Sequence, residues 1–229
     1  MFARWDRMAK QFTRVGKEIA IAVKAGGPDP NINPALRRCF QNAKAVNMPK
    51  DRVEAAIKRA MGKEMDNYDE ILYEGYGPHG VALLVETATD NHVRSVANIK
   101  SHFNKGGGAL GNSGSVAFQF RKMGVFKLRP EGLNADDLEL ELIDNGLEEL
   151  GEGTGENGDD QLILRVAYTD FGNMQKALED KSITPISAEL EWIPSTTVPL
   201  SDAQAEDVSK LIEKLEQDDD VQKVFHNMG

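Results

Sequence analysis

Apolar positions recur at three- and four-residue steps from Met8 to Lys24, through Phe12, Val15, Ile19 and Val23. That spacing predicts an amphipathic helix. Gly16 lies inside it at a cost of about 1 kcal/mol against alanine, which predicts a close packing contact at that point. The stretch AGGPDPNINP then breaks the chain, and Asn33 before Pro34 predicts an N-cap with proline at the first helical position. The next helix, 34–46, is expected to bury Leu36, Cys39, Phe40 and Ala43. NMPKD repeats the device: Pro49 opens a helix striped by Val53, Ile57 and Ala60, with Gly62 placed to end it. Three such helices make a small bundle, assigned to residues 1–64.

Beyond residue 65 the period shortens. VALLVETA (81–88) reads as a strand after a Gly/Pro turn, EGYGPHG. Asp90 or Asn91 then caps a helix striped by Val93, Val96, Ile99 and Phe103. SVAFQF (115–120) and GVFKLR (124–129) read as a hairpin around RKMG, with Phe118 and Phe120 on one core-facing side. This β-α-β-β run needs one more α-β to complete a ferredoxin-like unit. The helix SDAQAEDVSKLIEKLEQ (201–217), capped by Ser201 or Asp202, and the strand DVQKVFHN (220–227) supply it. Between them lie a helix (NADDLELELIDNG), strands LEELGEG and QLILRVAYT, a helix (DFGNMQKALED) and the strand ISAELEWIP, enough for a second α/β layer. The expected class is α+β: an N-terminal three-helix domain followed by two ferredoxin-like α/β domains. Residues 65–130 plus 200–229 would form one, and 131–199 the other, inserted into it. Two consecutive domains without insertion are the alternative.

Composition narrows the function classes. The chain has 229 residues, one cysteine and a net charge of −10. A lone Cys39 on an apolar stripe predicts a buried thiol, neither disulfide nor zinc ligand. No apolar run approaches the roughly 18 residues of a membrane span, and MFARWDRMAK lacks the features of a signal peptide, so a soluble, cytoplasmic chain is expected. The charge is segregated. Residues 1–63 carry 14 Lys and Arg against 5 Asp and Glu, a net +9, and the rest carry 13 against 32, a net −19. A basic segment on an acidic chain points to an anionic partner at one end.

The run FNKGGGALGNSGSVAFQF tests for nucleotide chemistry. A P-loop runs strand, GxxxxGK[ST], helix. Here the helix comes first, Lys105 precedes the glycines, and a strand follows, so the direction is wrong. The glycines are expected to cap the helix at Gly106 and to form a connector. His79, His92, His102 and His226 form no HExxH or Cys/His pattern, no GxSxG occurs, and the acidic hairpin tip GEGTGENGDD lacks the ligand order of an EF-hand. No cofactor, metal or catalytic group is expected. Trp5, Tyr68 and Tyr73 are candidates for stacking on bases.

Several strings together carry a resemblance: FTRVGKEIAIAVKAGGPDP, NPALRRCFQNAKAVNMPKDRVEAAIKRA, YEGYGPHGVALLVETATDN, NKGGGALGNSGSVAFQF and DDDVQKVFHN. In this order and over nearly the whole chain they resemble the YebC family. The resemblance implies three domains, an N-terminal helical one and two of related ferredoxin-like build, and no enzyme activity. Bacterial members are described as DNA-binding transcriptional regulators. Mitochondrial relatives are translational activators, and bacterial ones have also been linked to translation on the ribosome. Members usually begin with a longer basic run, of which Arg4, Arg7 and Lys10 are the counterpart here. The expected function is a non-enzymatic, nucleic-acid-binding regulator of gene expression, acting on DNA. The alternative is a ribosome-associated translation factor that binds ribosomal or messenger RNA. The expected phosphate contacts are Arg14, Lys17, Lys24, Arg37, Arg38, Lys44, Lys50, Arg52, Lys58 and Arg59, on helices whose turn resembles a helix-turn-helix. Arg94 and Lys105 are candidates for a second patch.

Overall fold

The structure is a computed structural model that describes residues 2–62, 67–155 and 158–229, without the side chains of 2–7. The expectations placed on Arg4, Trp5 and Arg7, and on residues 156–157 of the acidic hairpin, therefore lie outside the described residues. Three helices open the chain: α1 (Phe2–Gly26), α2 (Pro34–Ala45) and α3 (Lys50–Ala60). α1 packs against both others. The apolar stripes are buried at Val15, Ile19 and Val23, at Leu36, Cys39 and Ala43, and at Val53 and Ala60. Phe40 and Ile57, expected in the core, are only half-buried. Asn33 caps α2 as expected: its Oδ1 accepts from Leu36 N at 3.1 Å. Its Nδ2 also donates to the carbonyls of Ala22 and Gly27, both at 2.8 Å, which ties the start of α2 to the end of α1. Gly16 corrects an expectation, because a Cβ added there would meet nothing within 4 Å.

There follow β1 (Asp69–Tyr76), β2 (Ala82–Thr89), α4 (His92–Lys105), β3 (Ala109–Leu110) and β4 (Phe120–Leu128). Next come α5 (Ala135–Leu142), β5 (Leu147–Thr154), β6 (Asp160–Ala167), α6 (Phe171–Asp180) and β7 (Ser187–Pro194). The chain closes with α7 (Asp202–Glu216) and β8 (Val221–His226). It divides into two compact units. One combines Met1–Gly62 with Lys122–Glu191, the other Lys63–Arg121 with Trp192–Gly229.

In the first unit a four-stranded sheet has the order β5-β6-β4-β7. Its chain order, β-α-β-β-α-β, is the ferredoxin-like arrangement. Phe126, Leu128 and Leu164 from the sheet form one core with Leu138 and Leu142 of α5 and Met174 and Leu178 of α6. Phe126 stacks on Phe171 at 4.7 Å between centroids. Within the same unit Asn42 of α2 accepts the Ala188 amide, 3.4 Å away.

The second unit has a sheet of order β3-β1-β2-β8, antiparallel at each pairing. β2 is buried on both faces, which explains its unbroken apolar run. Val81, Leu83 and Val85 pack with Ile99 and Phe103 of α4 and Val208, Leu211 and Leu215 of α7. Ala82 and Leu84 face the other way, toward Val116 and Phe120. Two sequence readings are corrected here. DEILYEGY, read in part as a turn, is strand β1. The expected hairpin around RKMG is one continuous strand, β4, preceded by a 3-10 turn at Ala117–Gln119. That turn separates the two phenylalanines: Phe120 is buried and Phe118 is 75% exposed.

The glycine run is a structural connector. Gly106 caps α4, Gly107 takes φ +76, and Gly108 N donates to Phe103 O at 2.9 Å, closing the helix in a Schellman turn. A Cβ on Gly108 would lie 2.3 Å from Tyr76 O, so β1 passes too close for any side chain. Glu74, 4% exposed, then fixes the far end of the loop. Its carboxylate accepts from Gly114 N at 2.6 Å, Val116 N at 2.8 Å and Ala117 N at 2.7 Å. Burial alone would push this carboxyl up, but the three amide donors outweigh it and hold the group below its ordinary range.

Two predictions follow from this packing. Gly16→Ala raises stability by about 0.5–1 kcal/mol, read as a shift of the urea midpoint at unchanged m-value. Glu74→Gln lowers stability near neutral pH by about 1–3 kcal/mol, because two or more buried amides lose a charged acceptor. A depressed folded-state value means that this contribution is complete above the ordinary value of 4.5 and is lost as pH falls through the lower folded one. The gap in melting temperature between wild type and Glu74→Gln therefore narrows on acidification. A gap that stays constant down to acid unfolding refutes the assignment.

Candidate nucleic-acid interface

The helices present their cations mainly near their ends. Lys24 lies in the last turn of α1, Lys44 in that of α2, and Lys58 and Arg59 in that of α3. Cations there also oppose the negative end of each helix dipole, worth about 0.3–1 kcal/mol apiece. All four are exposed. Lys50 and Arg52 open α3 after the turn at 46–49. Lys50 reaches Glu54 at 3.6 Å, but its side chain stays 88% exposed, a weak surface pair. The Arg52 guanidinium lies 5.9 Å from the Phe12 ring centroid, a cation–π contact that fixes an exposed side chain against α1.

The remaining expected contacts are engaged. Lys17 is corrected outright: it is 8% exposed. Arg14 is half-buried. Arg37 donates through one terminal nitrogen to the carbonyls of Pro30 and Asn31, at 3.0 and 2.9 Å, and its Nε is 3.5 Å from Glu179. It holds the α1–α2 loop. Arg38 lies over the Phe171 ring at 5.5 Å. An apolar stripe could not reveal these roles, because the partners are carbonyls of an irregular loop and side chains more than a hundred residues away.

The second patch splits in the same manner. Arg94 donates to both oxygens of Asp220, at 2.8 and 2.9 Å, and to Asp90 at 2.7 Å. The hydrogen bonds to Asp220, then that to Asp90, raise the affinity of its guanidinium for the proton. Asp220 also accepts from Ser95 Oγ at 2.7 Å and Thr89 Oγ1 at 3.1 Å. Arg94 is thus part of the scaffold of its unit, whereas Lys105, one residue before the helix cap, is exposed and makes no ion pair among the described residues. Among the described residues no group of three or more His, Cys, Asp or Glu side chains is disposed to hold a metal, and no helix is long and apolar enough to cross a membrane. The open cations offer point charges and guanidinium forks, which suit phosphates rather than bond-breaking chemistry.

Comparison with known proteins agrees with the fold. Residues 1–63 match the TACO1/YebC protein N-terminal domain and residues 68–228 the TACO1/YebC second and third domain. A probable transcriptional regulatory protein of Anaeromyxobacter dehalogenans is 60% identical over 229 residues, spanning 100% of this chain and 95% of that one. One from Myxococcus xanthus shows the same identity and coverage. One from Cytophaga hutchinsonii is 54% identical over 226 residues, with 99% and 93% covered. The crystal structure of a conserved hypothetical protein from Aquifex aeolicus aligns with a TM-score of 0.82 at 34% identity, covering 96% of this chain and 90% of that one. With both domain descriptions matched in order and identities of this size over the full length, the chain belongs to the TACO1/YebC family.

Proposed function

We propose that this protein is a regulator of gene expression that works by binding nucleic acid, as a DNA-binding transcriptional regulator of the cytoplasm with no catalytic activity of its own. The observation that carries the reading is the set of exposed cations on the three helices, Lys24, Lys44, Arg52, Lys58 and Arg59, in a chain whose net charge is −10. The relatives named as probable transcriptional regulatory proteins support it. The helical part would supply phosphate contacts, which position a protein on a duplex and carry most of the affinity. The acidic remainder of the chain would be repelled from the same polyanion and so favour one docking orientation.

Fluorescence anisotropy on duplex DNA between 50 and 200 mM salt tests this. Five phosphate contacts give a slope of log K against log salt of about −4.5. Lys44→Gln with Lys58→Gln and Arg59→Gln weakens binding by about tenfold or more and flattens that slope, at a stability cost of about 0.3–1 kcal/mol per residue for the lost helix-end cations. Arg37→Glu behaves differently: it lowers the melting temperature by freeing the α1–α2 loop. Salt-independent binding, or none, refutes the proposal. Retention on ribosomal subunits with no retention on duplex DNA replaces the DNA target by RNA.

A further inference from the structure

A second feature lies in the unit built on β1, β2 and β8, remote in sequence from the basic helices. A cavity of about 760 Å³ opens where the C-terminal end of α4 meets α7 and the 3-10 turn at Pro78–Gly80. Pro78, Gly106 and Gly107 line it without charge, over Leu211, which is 1% exposed and belongs to the core of the unit. Its rim carries Lys105, Lys210, Lys214, His79 and His102 with one carboxylate, Asp207. The acids nearby are matched one to one. Glu206 holds Lys210 at 2.8 Å, Asp207 holds His79 Nε2 at 3.0 Å, and Asp218 lies 3.7 Å from His102 Nε2. Two cations are left over. Among the described residues Lys105 has no side-chain partner, and Lys214 reaches only the neutral amide oxygen of Gln217, at 3.3 Å. One wall is held in a costly conformation: His79 has φ +61, a region that side chains other than glycine rarely adopt.

We propose that this cavity binds a phosphomonoester carried on a planar heterocycle, that is, a nucleoside monophosphate unit, either free or at the end of a nucleic-acid strand. The dianionic phosphate is matched by the two unpaired lysines. The flat ring fits against Pro78 and the backbone of Gly106 and Gly107, where no side chain at 106 or 107 stands in its way. The free oxygen of Asp207 and the imidazoles offer acceptors and donors for ribose hydroxyls and base edges. A volume of this size is within the range of small-molecule sites. The site does not depend on the basic helices, and it stands or falls separately from the DNA reading.

The test titrates the full chain with adenosine monophosphate and uridine monophosphate, followed by calorimetry and by the amide NMR signals of Gly106, Gly107 and Leu211. Saturable shifts confined to that corner are expected. Adenosine without phosphate, and inorganic phosphate alone, should each bind about tenfold more weakly or worse. Lys105→Ala with Lys214→Ala should weaken the mononucleotide about tenfold while leaving the melting temperature unchanged. Short oligonucleotides with and without a terminal phosphate identify the source: preference for the phosphorylated strand assigns a strand end, and binding of the mononucleotide alone assigns a free ligand. No saturable shift at millimolar mononucleotide, equal affinity for inorganic phosphate, or affinity unchanged in the double variant each overturns the proposal.

Discussion

The carboxylate of Asp220 is 3% exposed, and it sits where the two chain segments of its unit meet. Arg94, Ser95 and Thr89 from the first segment all donate to it. The Arg94 pair spans 126 residues of sequence. A buried carboxylate without its donors costs on the order of 3–5 kcal/mol, so this arrangement is intolerant of partial assembly. Its consequence is geometric. With α4 anchored at its N-terminal end, the Schellman turn at the other end, the glycine connector and the α4–α7 corner are all placed relative to β8. The cost of this anchor is that Arg94, a cation suggestive of a ligand contact in the bare sequence, serves the scaffold.

Glu74 makes the same point from the acidic side. A loop of exposed glycine amides is a ready-made anion cradle. Here the amides of Gly114, Val116 and Ala117 already hold an anion that belongs to the protein. The loop has the composition of a phosphate site and the job of a staple. Both cases show why the role of a single charged residue could not be read from its type in this chain. Totals survive folding, whereas individual partners are chosen by tertiary contacts.

What the sequence revealed follows the range of the interactions involved. Asn33, Asn91 and Ser201 were legible as caps because a cap bonds within three or four residues. The stripes of α1 to α3, the strand β2 and the strands β5, β6 and β7 were legible because burial imposes a regular period. β1 was not, because buried Glu74 stands where the alternation calls for an apolar residue and Gly75 leaves a gap. Both have non-local reasons: Glu74 serves residues some forty positions on, and a Cβ on Gly75 would collide with the Phe103 ring at 2.7 Å. Phe118 shared its alternation with Phe120 and still ended in solvent, because a 3-10 turn resets the period. For the candidate interface, the basic segment was legible and its division into open and engaged side chains was not. The lysines of α7 gave no signal at all, being diluted among the acids of their own helix.

The interruption of one sheet by another has a bearing on synthesis. The sheet containing β4 to β7 is encoded without a break, so its pairing is complete as soon as β7 has left the exit tunnel. The sheet of the other unit is encoded in two pieces, and β2, buried on both faces, must wait for β8 before its second edge is covered. During that interval an unpaired strand edge that opens on the apolar run Ala82–Val85 is exposed to other nascent chains. β8 is thus a quality checkpoint: a chain that stalls or is clipped before Val221 contains one finished sheet and one sticky, unfinished one.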